Sequence, residues 1–394
     1  MTEYTIWRER SRAIPTSSLH AIHRLASERG KDTIALHVGE PHIGMPESAA
    51  DAFVRAIRDR QTYYTDAPGL PMLREALADR LAGNGAPRVG QVFVTPGSCQ
   101  AISAVLQSIA IDGGIALLPE LHWPIHLQQV LATGLTPRFF HAAHPGLSPV
   151  ESLEAGYEPA VCAVIINSPS NPAGVVLDQH VIADIHEWAV RHHVWLISDE
   201  AYEDFVYAGE PPRTAALDTP LAEAERVVFS VHTFSKGFSM TGCRLGYVTA
   251  PSADRADLLQ RVQEATLIAP STPVQFAGLA ALNEDQHLAA HHGYVRATRD
   301  DAAGALVSAG LLRAMPEGGW YALIDLGRHA ADSGVFCRQL LHQAGVALTP
   351  GHDFLPAGHA QGRSLARLAL CGERAATMEG VRRLLTQLEA DPFR

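Results

Sequence analysis

One run of the chain encodes a short strand that leads into a lysine: Arg226-Val227-Val228-Phe229-Ser230-Val231-His232-Thr233-Phe234-Ser235-Lys236-Gly237-Phe238-Ser239-Met240-Thr241-Gly242-Cys243-Arg244. Its first part, 226–231, does not alternate strictly between apolar and polar residues, which predicts a strand covered on both faces. Small residues and glycines follow, and Lys236 stands among them. We therefore expect the fold and the chemistry to centre on this strand and the turn behind it.

Lysine is almost absent from the rest of the sequence. Of the 31 lysine and arginine residues, two are lysines, Lys31 and Lys236, and 29 are arginines. An arginine can replace a surface lysine at little cost, but it cannot act as an amine nucleophile because its guanidinium stays protonated. Lys236 is either a surface lysine without a special role or, as its neighbours indicate, a residue that forms a Schiff base.

Further strands are expected on either side of this run. Short apolar segments predict them at 91–95, 114–118, 137–140, 161–167, 194–198 and 245–250. Helical patterns separate several of these segments, at 98–110, 123–133 and 177–192. The alternation predicts an α/β fold with a mostly parallel, roughly seven-stranded sheet flanked by helices.

The two ends of the chain have a different pattern. Helices are expected at 17–30, 48–60 and 71–83 before the alternating region, and almost throughout 272–310 after it. The remainder combines short strands at 320–326 and 367–370 with helices at 333–344 and 375–390. This part of the sequence predicts a second, α+β unit.

Composition excludes several classes of function. The net charge is −11 without a basic block, which disfavours nucleic acid and anionic membranes as partners. Residues 1–10 lack the apolar core of a signal peptide, and no apolar run approaches membrane-spanning length. The five cysteines are scattered and form neither a disulfide framework nor a metal-type pair. We expect a cytoplasmic protein without a bound metal, despite its 20 histidines.

Polar residues follow four of the predicted strands. In doubly wound sheets, ligands bind at the carboxyl ends of the strands. These ends carry Gly97 and Ser98 at a helix start, Asn171 in a proline-rich loop, Asp199 with Tyr202, and Thr233 with Lys236. We expect the four groups to lie close together.

Each of these residues allows an ordinary interpretation and a functional one. The Gly97–Ser98 turn is either a simple helix cap or an anion site made of free N–H groups. Asp199 needs a partner at the end of an apolar strand, either a surface arginine or a protonated ring nitrogen. Trp123 is either core or a stacking face, and Arg244 can bind a phosphate. With the lone lysine, the functional interpretations together describe a pyridoxal phosphate site.

With these motifs in order, the chain resembles the class I/II aminotransferases of the fold-type I pyridoxal-phosphate family. The resemblance starts near residue 14 and covers nearly the whole length. It rests on Gly39-Glu40-Pro41, Tyr64-Thr65, Gly69-Leu70-Pro71, Thr95-Pro96-Gly97-Ser98, Asn167-Ser168-Pro169-Ser170-Asn171-Pro172, Asp199-Glu200-Ala201-Tyr202, the Lys236 run, Pro316-Glu317-Gly318-Gly319, Pro350-Gly351 and Arg367. It implies a homodimer, a large domain at 45–285, and a small domain made of 1–44 and 286–394.

The resemblance also implies catalytic roles. Lys236 would hold pyridoxal 5'-phosphate as a Schiff base and later move the substrate proton. Asp199 would keep the cofactor ring nitrogen protonated. Tyr202 and Asn171 would hydrogen-bond the ring hydroxyl oxygen, and Trp123 would stack on the ring.

The remaining implied roles concern the phosphate and the substrate. The backbone of Gly97, Ser98 and Cys99 would hold the phosphate, together with Thr233, Arg244 and, from the neighbouring subunit, Tyr64. Gly39, Asn171 and Arg367 would bind the substrate carboxylate. The implied activity is transfer of an amino group between an α-amino acid and a 2-oxo acid.

Two alternatives share much of this pattern. A pyridoxal-phosphate lyase or cyclase that acts by β- or γ-elimination would use the same cofactor residues. A non-catalytic regulator would need a DNA-binding domain before residue 14, and the negative charge disfavours it. Within the family pattern, His42 and Ile43 replace an acid and an aromatic residue, and Cys99 replaces a larger residue. The sequence shows no clear second arginine for a dicarboxylate, which disfavours aspartate and glutamate as dedicated substrates.

Overall fold

The computed structural model describes residues 11–81, 89–143, 146–211, 214–218 and 220–390, without the side chains of 215 and 216. The large sheet has seven strands in the order β2-β8-β7-β6-β5-β3-β4. They are β2 Val92–Thr95, β3 Ile115–Pro119, β4 Thr136–Phe140, β5 Val161–Asn167, β6 Trp195–Asp199, β7 Val228–Thr233 and β8 Gly246–Thr249. Only β8 runs against its neighbours in this sheet. The expected α/β fold with a mostly parallel sheet is confirmed.

The middle strands are covered on both faces, which explains their continuous apolar sequences. Every residue of β5 is buried. Ile165 packs in a core with residues such as Val105, whereas Val164 and Ile166 pack in another core with Trp188. Because successive side chains of a strand point to opposite faces, both faces of β5 require apolar residues.

Thirteen α-helices lie wholly within the described residues. They are α1 Ser18–Arg29, α2 Glu47–Arg58, α3 Pro71–Arg80, α4 Gly97–Ile109, α5 Pro124–Thr133, α6 Pro149–Gly156, α7 Gln179–His192, α8 Phe234–Gly237, α9 Ala253–Thr266, α10 Thr272–Ala281, α11 Asp285–Ser308, α12 Ser333–Ala344 and α13 Arg374–Glu389. None of the helices in the described ranges is both long and apolar enough to cross a membrane.

Some helices differ from the sequence prediction. The stretch 272–310, expected to be helical almost throughout, forms two helices that are separated at 282–284, where Glu284 has non-helical backbone angles. The sequence patterns above do not predict helices α6 and α9. Ser148 caps α6 and forms a capping box with Glu151, and Ser252 caps α9. The helix expected at 71–83 ends at Arg80, and residues 82 and 83 lie outside the described part of the chain.

A second group of short strands lies outside the large sheet. Strands β9 Tyr321–Asp325, β11 Thr349–Pro350 and β12 Leu365–Ala369 form an antiparallel sheet in the order β11-β12-β9. A two-residue parallel pair joins β1 Ile34–Ala35 to β10 Val346–Ala347. The same region has its own apolar core, to which both ends of the chain contribute, as Ile22, Phe336 and Leu384 illustrate.

Candidate active site

A cavity of about 220 Å³ lies at the carboxyl ends of the central strands. The register explains why polar residues meet there, because Asn167 at the end of β5 lies opposite Asp199 at the end of β6, and Asp199 lies opposite Val231. Nine of the residues selected from the sequence line this cavity: Ser98, Cys99, Trp123, Asn171, Asp199, Tyr202, Thr233, Lys236 and Arg244. The expected convergence of the strand ends is therefore observed.

An anion cradle forms one side of the cavity. Helix α4 begins at Gly97, and no side chain caps its first N–H groups. Arg244 donates from Nη1 to the carbonyl oxygen of Thr241 at 2.8 Å, and its Nη2 lies 3.4 Å from the carbonyl oxygen of Pro96. Gly97 has a φ of 81°, a left-handed conformation that favours glycine, and a Cβ atom there would lie only 2.6 Å from Nη2 of Arg244. The helix dipole and the guanidinium both favour a bound anion here.

Two neighbours of the cradle add no negative charge to it. Burial raises the pKa of the Cys99 thiol, which keeps the thiol protonated at neutral pH. The Thr233 hydroxyl accepts a hydrogen bond from the backbone N–H of Ser235 and so caps helix α8, which carries Lys236. Thr233 therefore both shapes the lysine turn and lines the cavity.

The partner of Asp199 is a histidine. His126 Nε2 lies 2.9 Å from Asp199 Oδ2, and both side chains are buried. The second carboxylate oxygen accepts a hydrogen bond from the backbone N–H of Ala201 at 3.1 Å. Asp199 therefore already has two donors within the protein. Neither a surface arginine nor a ring nitrogen is needed to explain how this buried carboxylate is stabilised. Two carboxylate oxygens offer about four acceptor positions, so a further donor from the cavity can still bind.

Aromatic side chains surround the amine of Lys236. Its Nζ atom lies 4.5 Å from the centre of the Trp320 ring and 5.3 Å from that of Tyr202. Burial and the neighbouring Tyr321 raise the pKa of Tyr202 well above its ordinary value, so its hydroxyl remains protonated and can donate a hydrogen bond.

Arg367 lies beside the cavity and is only 3% exposed. Its Nη1 donates to Asn171 Oδ1 and its Nη2 to the carbonyl oxygen of His37, both at 2.8 Å. The guanidinium also lies 4.0 Å from the centre of the Tyr321 ring. All these partners are neutral, and a buried charge without a counter-charge is costly. The position suits the carboxylate of a ligand.

Two selected residues have other surroundings. The backbone of Gly39 lies against the Tyr321 side chain so closely that any Cβ atom would collide with it. Tyr64 is 82% exposed and does not line the cavity of its own chain.

A buried acidic network lies beneath the lysine turn. His232 Nδ1 lies 2.9 Å from Glu203 Oε1, and Thr214 donates to the buried carboxyl group of Glu200. Burial alone would lower the pKa of His232, but Glu203, Glu200 and Asp204 outweigh this effect and raise it to about 9. Among the described residues, Glu200, Glu203 and His232 are the one group whose atoms are close enough to hold a metal ion. Their mutual charges and hydrogen bonds account for the arrangement.

Comparison with known proteins decides the family. The model of the family "Aminotransferase class I and II" matches residues 31–384. This chain belongs to the class I and II aminotransferases. It is an enzyme that transfers amino groups between amino acids and 2-oxo acids.

The aminotransferase is similar along most of its length to relatives whose names differ. It is 32% identical over 365 residues to an aspartate/prephenate aminotransferase of Thermus thermophilus, which covers 89% of this chain and 92% of the relative. It is 29% identical over 371 residues to the (5-formylfuran-3-yl)methyl phosphate transaminase of Methanocaldococcus jannaschii, with 92% of each chain covered. A solved structure of T. thermophilus aspartate aminotransferase with maleate has a TM-score of 0.87 and 28% identity, and the match covers 96% and 98% of the two chains.

Sequence reasoning missed two residues of the aminotransferase site. His126 holds Asp199, and Tyr321 lies beside both Tyr202 and Arg367. A signal existed for His126, because it follows Trp123 by three residues at the start of a predicted helix, where residues i and i+3 lie close together. No local signal pointed to Tyr321, which reaches the site from β9.

Proposed function

We propose that this aminotransferase binds pyridoxal 5'-phosphate in the cavity and attaches it to Lys236. The observation that carries the proposal is the lone cavity lysine, placed with a buried acid and an uncapped helix N-terminus that an arginine reinforces. The donor set fits the cofactor, because an anion cradle, a carboxylate and an amine match a phosphate, a ring nitrogen and an aldehyde. When bound, pyridoxal phosphate supplies an aldehyde that captures amino groups and a ring that takes up electrons.

Different residues of the chain would bind different parts of pyridoxal phosphate. The N–H groups of Gly97, Ser98 and Cys99 would bind the phosphate, with Thr233 and Arg244. Asp199, oriented by His126, would hold a proton on the ring nitrogen. Asn171 and Tyr202 would donate hydrogen bonds to the ring oxygen, and Trp123 would stack on the ring.

Lys236 would also act as the base. Once an amino substrate has taken its place, its freed Nζ atom would carry the proton that leaves the substrate Cα atom. The rings of Trp320 and Tyr202 lie within 4.5 and 5.3 Å of this nitrogen and limit the positions that it can take. Because an arginine cannot release its proton at neutral pH, Lys236→Arg should eliminate turnover while the fold is retained.

Arg367 would bind the substrate carboxylate. Its buried guanidinium has only neutral partners, one of them Asn171, which also lines the cavity. With the backbone N–H of Gly39, these groups would fix the orientation of the substrate. Orientation decides which bond of the Cα atom stands perpendicular to the cofactor ring, and therefore which bond breaks.

The substrates would be an α-amino acid and a 2-oxo acid. The names of the relatives make aspartate the first donor to test. Among the described residues that line the cavity, however, Arg244 is the only arginine. This supports a donor without a second carboxylate.

An amino-donor screen tests the proposal. The purified protein should be yellow, and a productive donor should shift its visible absorbance, with reversal by a 2-oxo acid. Aspartate, glutamate and neutral amino acids form the first panel. Colourless protein, or coloured protein that no donor shifts, would overturn the proposal. Release of pyruvate and ammonia without any acceptor would instead favour the elimination chemistry of a lyase.

The proposal includes a homodimer. Exposed apolar side chains are concentrated between residues 54 and 72, namely Val54, Ile57, Tyr63, Tyr64 and Met72. A second copy that covers this surface would remove them from water and bring its Tyr64 to a phosphate site. Light scattering should give twice the mass of the chain, and Tyr64→Ala should weaken cofactor retention. A monomer with full activity would contradict this part of the proposal.

The proposal also includes the domain division and the location. A large domain at 45–285 and a small domain of 1–44 with 286–394 are supported by the separate core to which Ile22 and Leu384 contribute. Limited proteolysis that releases a stable fragment near 45–285 would test the division. Free thiols at all five cysteines support a cytoplasmic enzyme.

A further inference from the structure

The turn that carries Lys236 has an unusual backbone. Helix α8 is only four residues long, and Ser239 and Arg244 after it have φ values of 54° and 56°. Such left-handed angles cost non-glycine residues about 1 kcal/mol or more each. A backbone of this kind persists only where its surroundings hold it in place.

Helix α11 supplies a support from outside the turn. Nδ1 of His291 lies 3.1 Å from the carbonyl oxygen of Gly237 and 3.2 Å from Ser239 Oγ. Gly237 directly follows Lys236. One histidine side chain therefore contacts the turn on both sides of Phe238.

The carbonyl group of Gly237 determines which ring nitrogen of His291 carries the proton. A carbonyl oxygen only accepts hydrogen bonds, so Nδ1 of His291 must carry the proton that is donated to Gly237. Burial lowers the pKa of His291 to about 4, and the neighbouring His287 and His292 contribute to the shift. The ring is therefore neutral near pH 7. It can hold the turn without adding a positive charge near Lys236.

A second contact comes from the same face of α11. Leu288, three residues before His291, lies against Gly237, where an added Cβ atom would be 2.8 Å from its Cδ2. Residues i and i+3 of a helix share a face. The helix thus packs on the lysine turn through an apolar contact and fixes its direction through a hydrogen bond.

We propose that His291 is a positioning residue for Lys236: its Nδ1–H holds the Gly237 carbonyl and so fixes the backbone from which the lysine side chain projects. The inference rests on the proposed function for its catalytic consequence. A displacement of about 1 Å at a reacting group can cost about 100-fold in rate.

Three variants separate positioning from simple packing. His291→Asn keeps an amide donor near the place of Nδ1, whereas His291→Leu fills space without a donor. The matched control is the adjacent His292→Leu, because His292 is bonded through Nε2 to the carbonyl oxygen of Val206 and not to the lysine turn. If His291→Leu does not fold, His291→Gln replaces it, since its amide lies one bond further from the backbone.

The first readout is hydrogen exchange of the cofactor-free protein, which does not depend on the proposed function. Amides in 237–244 should exchange at least about tenfold faster in His291→Leu than in wild type, and His291→Asn and His292→Leu should resemble wild type. Equal exchange in the two leucine variants would overturn the inference.

The second readout uses the cofactor-loaded enzyme. His291→Leu should lower kcat about 10- to 100-fold with KM changed less than about threefold, because binding groups stay in place. His291→Asn should restore most of kcat. If both variants fold and asparagine is no better than leucine, the positioning role is wrong. A protein that binds no pyridoxal phosphate would refute the proposed function while leaving the exchange result intact.

Discussion

Two arginines of the C-terminal region, Arg367 and Arg382, have opposite surroundings. Arg382 lies on helix α13 with a side chain that is 65% exposed, and it donates to both carboxylate oxygens of Glu379 at 2.7 Å. Arg367 on β12 is buried, and its described hydrogen-bond partners are neutral oxygen atoms. Water and a nearby acid satisfy the surface charge. The buried charge lacks a counter-ion within the described chain, which indicates that an anionic ligand supplies it.

The largest expected effect comes from substitution of the buried arginine, Arg367. Arg367→Lys keeps the charge but loses the planar, two-pronged geometry that suits a carboxylate. The ratio kcat/KM should fall about 100-fold, which corresponds to ~3 kcal/mol of transition-state stabilisation. Steady-state kinetics with the best donor from the screen measures it.

The matched control is the same substitution at the surface. Arg382→Lys should leave kcat/KM within about twofold of wild type, because the side chain is 65% exposed, its partner Glu379 lies on the same helix, and neither residue lines the cavity. A similar loss in both variants would show that general damage, and not carboxylate binding, causes the effect.

His232 differs from both arginines, because it is a buried charge that has its own acidic partner, Glu203. Its pKa is raised to about 9 from an ordinary value of 6.5. A raised pKa in the folded state stabilises the protein fully below pH 6.5, and this stabilisation is lost as the pH rises through 9. The free energy of unfolding by urea should therefore fall more steeply in wild type than in His232→Gln. The difference between the two should shrink by up to about 3 kcal/mol from pH 6.5 to 10.

Comparison with the glutamine variant cancels contributions from groups that do not interact with His232, whereas Glu203, Glu200 and Asp204 are part of the measured difference. Buried thiols, such as Cys337, also titrate on unfolding at alkaline pH, but they do so in both proteins. A difference that stays constant between pH 6.5 and 10 would contradict the assignment of a protonated His232.

The smallest expected effect concerns the exposed ion pair. Arg382→Ala should shift Tm by less than about 2 °C, since solvent and salt screen exposed pairs. Differential scanning calorimetry at low and high salt measures the shift. A large, salt-independent loss would mean that Arg382 packs in a way its exposure does not suggest.

Much of the fold and the site could be predicted because the relevant signals are local. The apolar runs of the seven strands, and the polar residues directly after them, lie next to one another in the sequence. The register places the ends of β5, β6 and β7 side by side, and the segments that follow these ends bring Asn171 and Lys236 to the cavity beside Asp199. Asp199 itself is the last residue of its strand, because the strand ends one residue later than the predicted 194–198.

The missed features depend on contacts between distant segments. His126 meets Asp199 across 73 residues, and His291 meets Gly237 across 54 residues. The spacing from Trp123 points to His126 itself, but no periodicity or spacing identifies the partner in either pair, because the packing of helices on the sheet determines it. Helix α6 differs from these features, because its local signal, the capping box of Ser148 and Glu151, is present in the sequence.

The central claim is that Lys236 binds the cofactor covalently, and the composition of the chain makes this directly measurable. The chain has one other lysine, Lys31, which is exposed. The measurement is peptide mass spectrometry of the protein after incubation with pyridoxal phosphate and reduction with borohydride. The account predicts a stable adduct on Lys236 at close to one per chain, with Lys31 unmodified. An adduct on Lys31 alone, or none on either lysine, would contradict it.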